Sequence, residues 1–399
     1  MFIESLSAKY RTRKKFLPYS LPTISEEEIN EVTSALQSGF LASGPRTKLF
    51  ENKFAEYVGV KNAIAVNSGT AALHLALVAN GIETGDEVII PTMTFPHTAN
   101  AVVHCGAKPV FADVGDDLNI KVSEITRLIT SKTKAIIPFD FAGQPAALTE
   151  IMAIAKNHHL VVIEDAVQAL GSSYRGKKIG SISPITIFSF CPTDNMTTIE
   201  GGMVVTNDND LAEKIRTLSL YGIDKRTRKC FINQGSWFYE ITCPGYKYNM
   251  NDIQAALGLC QLHKLERFLA NRRRYASIYT EAFRFIPEIT ILPVNRDSLH
   301  SWGLYVIILN LEKLSINRTQ FIEALRFENI GAGVDFIPIH LQPFYQMLEV
   351  HHGSASNSLP NAEWFYERMV SLPLYPRLTE TDINDTIRAI SKIVKRMRR

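Results

Sequence analysis

Between residues 60 and 210, short runs of β-branched and other apolar residues alternate with longer stretches of helical character, and few folds can satisfy that alternation. The runs fall at 63–66, 87–90, 109–112, 135–138, 160–163 and 202–206. They are continuous rather than alternating, as in strands covered on both faces. Between them, helices are expected over 70–79, up to residue 105, through 153–157 and from residue 211. Strands separated by helices imply an α/β fold with a mostly parallel central sheet. Residues 251–283, rich in Ala, Leu and Arg, read as one or two long helices. A smaller C-terminal α/β domain is expected after them. It would hold strands at 304–309 and 334–337 and helices over 318–327, near 362–370 and near 381–397. The division is placed at residue 260, giving a large domain over 1–260 and a small one over 261–399.

The chain has 399 residues with a net charge of +3 spread along its length, so no basic footprint for nucleic acid stands out. No zinc-finger spacing is present and no metal is implied. The five cysteines (Cys105, Cys191, Cys230, Cys243 and Cys260) are odd in number, scattered and free of C-x-x-C pairs. They fit a reduced, cytoplasmic setting better than a disulfide framework. No apolar run approaches the ~20 residues of a spanning helix, so no membrane association is expected. The N-terminus is basic at Arg11, Arg13, Lys14 and Lys15 but lacks the apolar core of a secretory signal. The basic C-terminal residues 395–399 suit the negative end of a helix dipole.

Four features carry chemistry. In Asn67-Ser-Gly-Thr70 a strand ends and a helix begins. Free N–H groups there, with the hydroxyls of Ser68 and Thr70, form an anion site, although an ordinary helix cap has the same appearance. Asp165 ends an apolar run, at the sheet edge where α/β proteins place ligands. It could hold a ring nitrogen protonated or cap the next helix. Gln168, three residues on, could donate to a phenolic oxygen. Phe95 could stack on a flat ring or pack in the core, and Ser189 could bind phosphate. All these residues fall at predicted strand ends on one edge of the sheet.

Longer segments carry a family resemblance. They are Phe-Leu-Ala-Ser-Gly-Pro from residue 40, Asn-Ser-Gly-Thr-Ala-Ala-Leu-His from 67 and Glu-Asp-Ala-Val-Gln-Ala from 164. Others are Met-Thr-Thr-Ile-Glu-Gly-Gly from 196 and Pro-Gly-Tyr-Lys-Tyr-Asn-Met-Asn-Asp from 244. Over roughly 16–390 the chain resembles the DegT/DnrJ/StrS sugar aminotransferases, pyridoxal phosphate (PLP) enzymes of the aspartate-aminotransferase fold (fold type I). The resemblance implies that the large domain binds the cofactor. Ser68, Gly69, Thr70 and Ser189 would hold its phosphate, Phe95 would stack on its ring, Asp165 would pair with the ring nitrogen and Gln168 would reach the phenolic oxygen. Lys247 would reach the phosphate from a partner subunit of a homodimer with shared sites, and His340 would stand on the substrate side. The implied substrate is a nucleotide-linked keto-sugar, in amino- or deoxy-sugar or surface polysaccharide biosynthesis.

Several positions depart from the family pattern. Asp194 stands where the Schiff-base lysine belongs, Ile199 where glycine is usual, Asp335 and Gly303 where histidine is common, and Asn251 in place of Thr or Ser. Aspartate cannot hold the cofactor covalently, but a carboxylate with a raised pKa can act as a base. Its charge opposes the anionic oxygen of PLP and suits the amine of pyridoxamine phosphate (PMP), so non-covalent cofactor is expected, with PMP favoured. Dehydration, isomerisation or slow transamination are the outcomes open to such a site. Two alternatives are a non-catalytic subunit paired with an active paralogue and a cofactor-free sugar-binding protein.

Overall fold

The computed structural model describes residues 12–224, 238–351 and 359–399. Arg11 and Cys230 therefore lie outside the described residues, and the four cysteines within them are free. Seven strands form the central sheet: β1 (Asn62–Val66), β2 (Glu87–Pro91), β3 (Lys108–Ala112), β4 (Thr133–Ile136), β5 (Val161–Asp165), β6 (Ile185–Ser189) and β7 (Gly202–Thr206). Their spatial order is β1-β7-β6-β5-β4-β2-β3. The pairings from β6 to β3 are parallel, whereas β7 runs antiparallel to both β6 and β1. The expected mostly parallel sheet is present, and the reversed strand is the feature that an apolar run alone does not reveal.

Helix α1 (Gly69–Ala79) is buried on nearly every side, which explains its Ala/Leu composition. It packs between the sheet and helix α2 (Pro96–His104). Helix α3 (Asp252–Phe283) is one continuous helix of 32 residues, roughly 48 Å long at 1.5 Å per residue. Asn251 caps it, its side chain accepting from the Gln254 N–H at 2.9 Å, so the Asn in place of Thr or Ser does the same work. The buried Asp252 carboxylate accepts from the N–H groups of Gly44 (2.7 Å), Thr47 (2.9 Å) and Arg46 (3.1 Å). This fastens the N-terminal segment to the start of α3.

The far end of α3 contributes Tyr275, Tyr279 and Phe283 to a second core. That core also includes strands β8 (Ile289–Ile291), β9 (Tyr305–Leu309) and β10 (Met369–Leu372), and helices α4 (Arg318–Phe327) and α5 (Glu380–Met397). Leu17 of the N-terminal arm joins it through backbone bonds with Asn329 and Gly331. Two local expectations are corrected. Residues 334–337 are not a strand: after Gly333 pairs with Ser371, the chain turns away from the sheet and runs along a cavity. The helix expected near 362–370 ends at Arg368, because Met369 and Val370 enter β10 and pair with Ile308 and Ile307.

One buried acid pair lies under the sheet edge. Asp140 and Glu164 are both fully buried, with Asp140 Oδ2 and Glu164 Oε1 lacking partners. Their other oxygens accept from the Ala146 N–H and the Thr186 hydroxyl, at 2.9 and 2.7 Å. Burial and mutual repulsion push Asp140 well above the carboxylate range, and burial raises Glu164 as well. Both folded-state pKa values exceed those of the unfolded chain. The pair's contribution to stability is therefore complete at low pH and is lost as pH rises through the folded-state values. Asp140→Asn keeps the bond from Ala146 and supplies an N–H to Glu164. It is expected to raise the unfolding free energy at pH 8 by about 1 kcal/mol or more, with the gain shrinking toward pH 5. Denaturant titrations at the two pH values would refute this if the variant were no more stable at pH 8.

Candidate functional site

A cavity of about 390 Å³ opens at the carboxyl ends of the parallel strands. Its lining contains Ser68, Gly69, Thr70, Phe95, Gln168, Ser189 and Asp194. The sheet brings them together because each follows or ends a strand on the same edge. Ser68 caps α1, its Oγ accepting from the Ala71 N–H at 3.1 Å. Thr70 is exposed in the first turn, where unpaired N–H groups and the helix dipole favour an anion. Gly69 must be glycine: a Cβ there would stand 2.8 Å from the Ser189 Cβ. Gly202, the first residue of the reversed β7, allows the same approach, because a Cβ on it would strike the Ser68 carbonyl. The reversed strand thus closes the phosphate-sized cradle from one side.

Phe95 is 51% exposed, which is unusual for a large apolar ring so near a core. Its neighbour Phe336 meets it edge-on at 5.5 Å and leaves a ring face open to the cavity. Asp165 is 0% exposed. Its Oδ2 accepts from the Thr98 hydroxyl at 2.8 Å and has His97 Nε2 at 2.9 Å, whereas its Oδ1 has no partner. A buried carboxylate oxygen left bare costs free energy unless a donor arrives. A protonated ring nitrogen is such a donor. Gln168 Oε1 accepts from the Ala142 N–H at 2.6 Å, which fixes the side chain with its amide nitrogen available to the cavity. The anion cradle, the open ring face and the bare oxygen of Asp165 match the three parts of a pyridoxal-type cofactor: phosphate, ring and ring nitrogen.

Asp194 lies on the loop between β6 and β7, half-buried in the cavity wall. Its Oδ2 accepts from the Cys191 N–H at 2.8 Å. Burial raises its pKa to about 6, opposed by the Ser189 hydroxyl, the Cys191 N–H, and the charges of Arg272 and His97. Asn195 pins the loop by donating to the Leu170 carbonyl at 2.9 Å. Behind it, the guanidinium of Arg272, 1% exposed, donates to the carbonyls of Leu374 (2.9 Å), Trp302 (3.1 Å), Gly303 (3.2 Å) and Asp194 (3.3 Å). Burial lowers the pKa of Arg272 only to about 10, so it remains a cation at neutral pH.

Three of the residues expected at the site do not line the cavity: Asp165 is fully buried beside the lining residue His97, and the other two stand elsewhere in this chain. His340 is buried, with Nδ1 2.6 Å from the Thr92 hydroxyl and Nε2 3.3 Å from Glu363, and it does not line the cavity. Lys247 donates to Asn249 Oδ1 at 2.6 Å, also outside the cavity of its own chain. Sequence reasoning missed Tyr19, His97 and Asn195, all of which line the cavity. It noted Asp335 only as a departure, and Asp335 lines the cavity too. His97 had a legible signal: it follows Phe95-Pro96 at a helix start, as Thr70 does in α1. Gly303 has a steric reason, since a Cβ would lie 2.6 Å from the Gln168 carbonyl, so no side chain fits.

The model of the DegT/DnrJ/EryC1/StrS aminotransferase family matches residues 22–391. The spore coat polysaccharide biosynthesis protein SpsC of Bacillus subtilis is 47% identical over 385 residues, covering 96% of this chain and 98% of SpsC. PseC of Helicobacter pylori, an aminotransferase involved in the biosynthesis of pseudoaminic acid, superposes with a TM-score of 0.88 at 33% identity. That match covers 96% of this chain and all of the PseC chain. Spr1654 of Streptococcus pneumoniae, solved in PMP, PLP and apo forms, is 30% identical in its PMP form. Its TM-score is 0.87, over 96% of this chain and 98% of the other.

Ile199 shows what one departure costs. It has φ of +72° and is 58% exposed, so a β-branched residue occupies the left-handed region without gaining burial. Ile199→Gly is expected to stabilise the fold by about 1 kcal/mol, the relief of strain exceeding the added freedom of the unfolded chain. A chemical-denaturation midpoint that falls instead of rising would contradict this.

Proposed function

Because the chain belongs to the DegT/DnrJ/EryC1/StrS aminotransferase family, we propose that it acts on a nucleotide-linked keto-sugar using a non-covalent cofactor, PMP in preference to PLP. The setting would be polysaccharide or amino/deoxy-sugar biosynthesis, as the description of SpsC suggests. Spr1654 in both cofactor forms supports a PLP/PMP-type group in this fold. The observation that carries the reading is Asp194, a carboxylate with pKa about 6 set in a cavity that also holds Ser68, Gly69, Thr70, Phe95, Gln168 and Ser189.

When bound, the cofactor supplies an electron-withdrawing ring that stabilises negative charge next to its amine-bearing carbon. The chain's own residues do the remainder. The start of α1, with Ser68, Gly69 and Thr70, would hold the phosphate, with Ser189 packed behind Gly69. Phe95 would support the ring, Asp165 would pair with the ring nitrogen, and the Gln168 amide would donate to the phenolic oxygen. Asp194 holds or moves a proton at the amine side, where a lysine would both tether and act as base. A pKa of about 6 lets it serve in either direction near neutral pH. Lys247 lies free of its own cavity, which supports a homodimer in which it reaches the phosphate of the partner's site. The same placement would let the chain donate Lys247 to an active paralogue. A cytoplasmic setting agrees with the free cysteines, and no helix among the described residues is long and apolar enough to cross a membrane.

Charge decides the preference between cofactor forms. At ~4 Å and an effective dielectric of ~20, two like charges repel by about 4 kcal/mol before solvent screening, and opposite charges gain as much. PMP is therefore expected to bind at least tenfold more tightly than PLP. Its advantage should grow as pH rises from 5 to 7 and Asp194 ionises. Absorbance titrations of both forms across that range test the preference, and tighter binding of PLP at pH 7 would refute it. In Asp194→Lys, borohydride should fix PLP to the protein, whereas the parent chain should leave it free. If neither protein bound cofactor, the reading would fail.

A further inference from the structure

Lys247 stands on a short extended segment held by backbone bonds on both sides. The Tyr246 N–H donates to the Leu218 carbonyl at 2.7 Å, the Tyr221 N–H to the Tyr246 carbonyl at 2.9 Å and the Tyr248 N–H to the Ser219 carbonyl at 3.0 Å. On the other side the Asn67 N–H donates to the Tyr248 carbonyl at 2.7 Å. Side chains alternate between the two faces of an extended chain. Tyr246 and Tyr248 share one face, with their rings stacked 4.9 Å apart at 15°, and pack against the core. Lys247 and Asn249 share the other, where Lys247 is exposed and its Nζ donates to Asn249 Oδ1 at 2.6 Å.

The tyrosine pair rests on His74, in the second turn of α1. The imidazole is 7% exposed. It meets the Tyr246 ring in a T-shaped contact with centroids 4.9 Å apart, its Nδ1 lies 3.4 Å from the Tyr248 hydroxyl, and its Nε2 has no partner. Burial, with the charge of His104, lowers its pKa, so the ring is neutral and Nδ1 can accept from Tyr248. The other buried side chains of α1 are Ala and Leu. Among them a ring nitrogen without a partner costs free energy that a leucine would not. His74 lies one helical turn beyond Thr70 on the same face. One helix therefore carries the anion cradle at its start and the support of the Lys247 segment a turn later.

We propose that His74 is a positioning residue: it braces the Tyr246–Tyr248 pair and thereby holds Lys247 outward, toward the phosphate cradle of the partner subunit. This rests on the reading of Lys247 as a residue that completes the partner's site. A lysine on a braced segment loses less freedom on meeting a phosphate, and so binds it more tightly. Each α1 then shapes two cradles, its own through Ser68, Gly69 and Thr70 and its partner's through Lys247.

The test titrates full-length protein with PMP and with pyridoxamine, which differ only in the phosphate, while absorbance is followed. Lys247→Met should weaken PMP roughly tenfold, the loss of one charge-assisted contact, and leave pyridoxamine unchanged. His74→Leu should weaken PMP roughly fivefold, leave pyridoxamine unchanged and add no further loss in the Lys247→Met background. His74→Asn keeps an acceptor near the Nδ1 position. It should show the same pattern with a smaller loss, and it decides the matter if His74→Leu does not fold. Unchanged PMP affinity in His74→Leu, equal weakening of both probes, or a full loss persisting in the Lys247→Met background would overturn the role of His74 alone. Unchanged PMP affinity in Lys247→Met would overturn the reading of Lys247 and this proposal with it, and failure of the parent protein to bind PMP would overturn the cofactor reading as well.

Discussion

The buried guanidinium of Arg272 holds the cavity in shape. It hangs from the long helix α3 and donates to carbonyls on three separate segments: the Asp194 loop, the Trp302–Gly303 turn and the chain after β10. Each carbonyl belongs to irregular backbone with no ladder partner to satisfy it, and each would be costly to bury alone. One cation thus solves several desolvation problems together and joins the three segments to α3. Its charge also lowers the cost of ionising Asp194, opposing the effect of burial.

Around that anchor the site divides into two electrostatic halves. The cradle at the start of α1 is built for an anion, from free N–H groups, hydroxyls and a glycine that cannot be replaced. The opposite half is acidic, with Asp194 and Asp335 on different loops. A ligand with a phosphate at one end and an amine at the other matches both halves, and PMP has that polarity. The replacement of a lysine by Asp194 therefore changes the charge of one half and leaves the other intact.

Much of this was legible beforehand, for identifiable reasons. Ser68, Gly69, Thr70, Phe95, Asp165, Gln168, Ser189 and Asp194 occupy strand ends or the loop after one, and periodicity locates strand ends well. Their placement on one edge follows from parallel strands, which present all their carboxyl ends together. His340 was not legible in the same way. It lies in a single 3₁₀ turn, Ile339–Leu341, too short for periodicity to fix direction, and its ring turned to Thr92 and Glu363. Tyr19 was missed because its only link to the site is tertiary, an arm threaded past Gly331 onto Asp335.

Taken alone, the sequence determined the α/β class, the chemical types in the cradle and the loss of the covalent tether, because these depend on local pattern and on residue identity. It also marked Ile199, Gly303 and Asn251 as unusual without saying why. The tertiary structure supplied the reasons: a left-handed backbone at 199, a carbonyl in the way at 303 and a helix cap at 251. It alone decided the reversal of β7, the bare oxygen of Asp165 and the pairing of Tyr19 with Asp335. These depend on which distant groups share a desolvated space, and no local pattern in a chain encodes that.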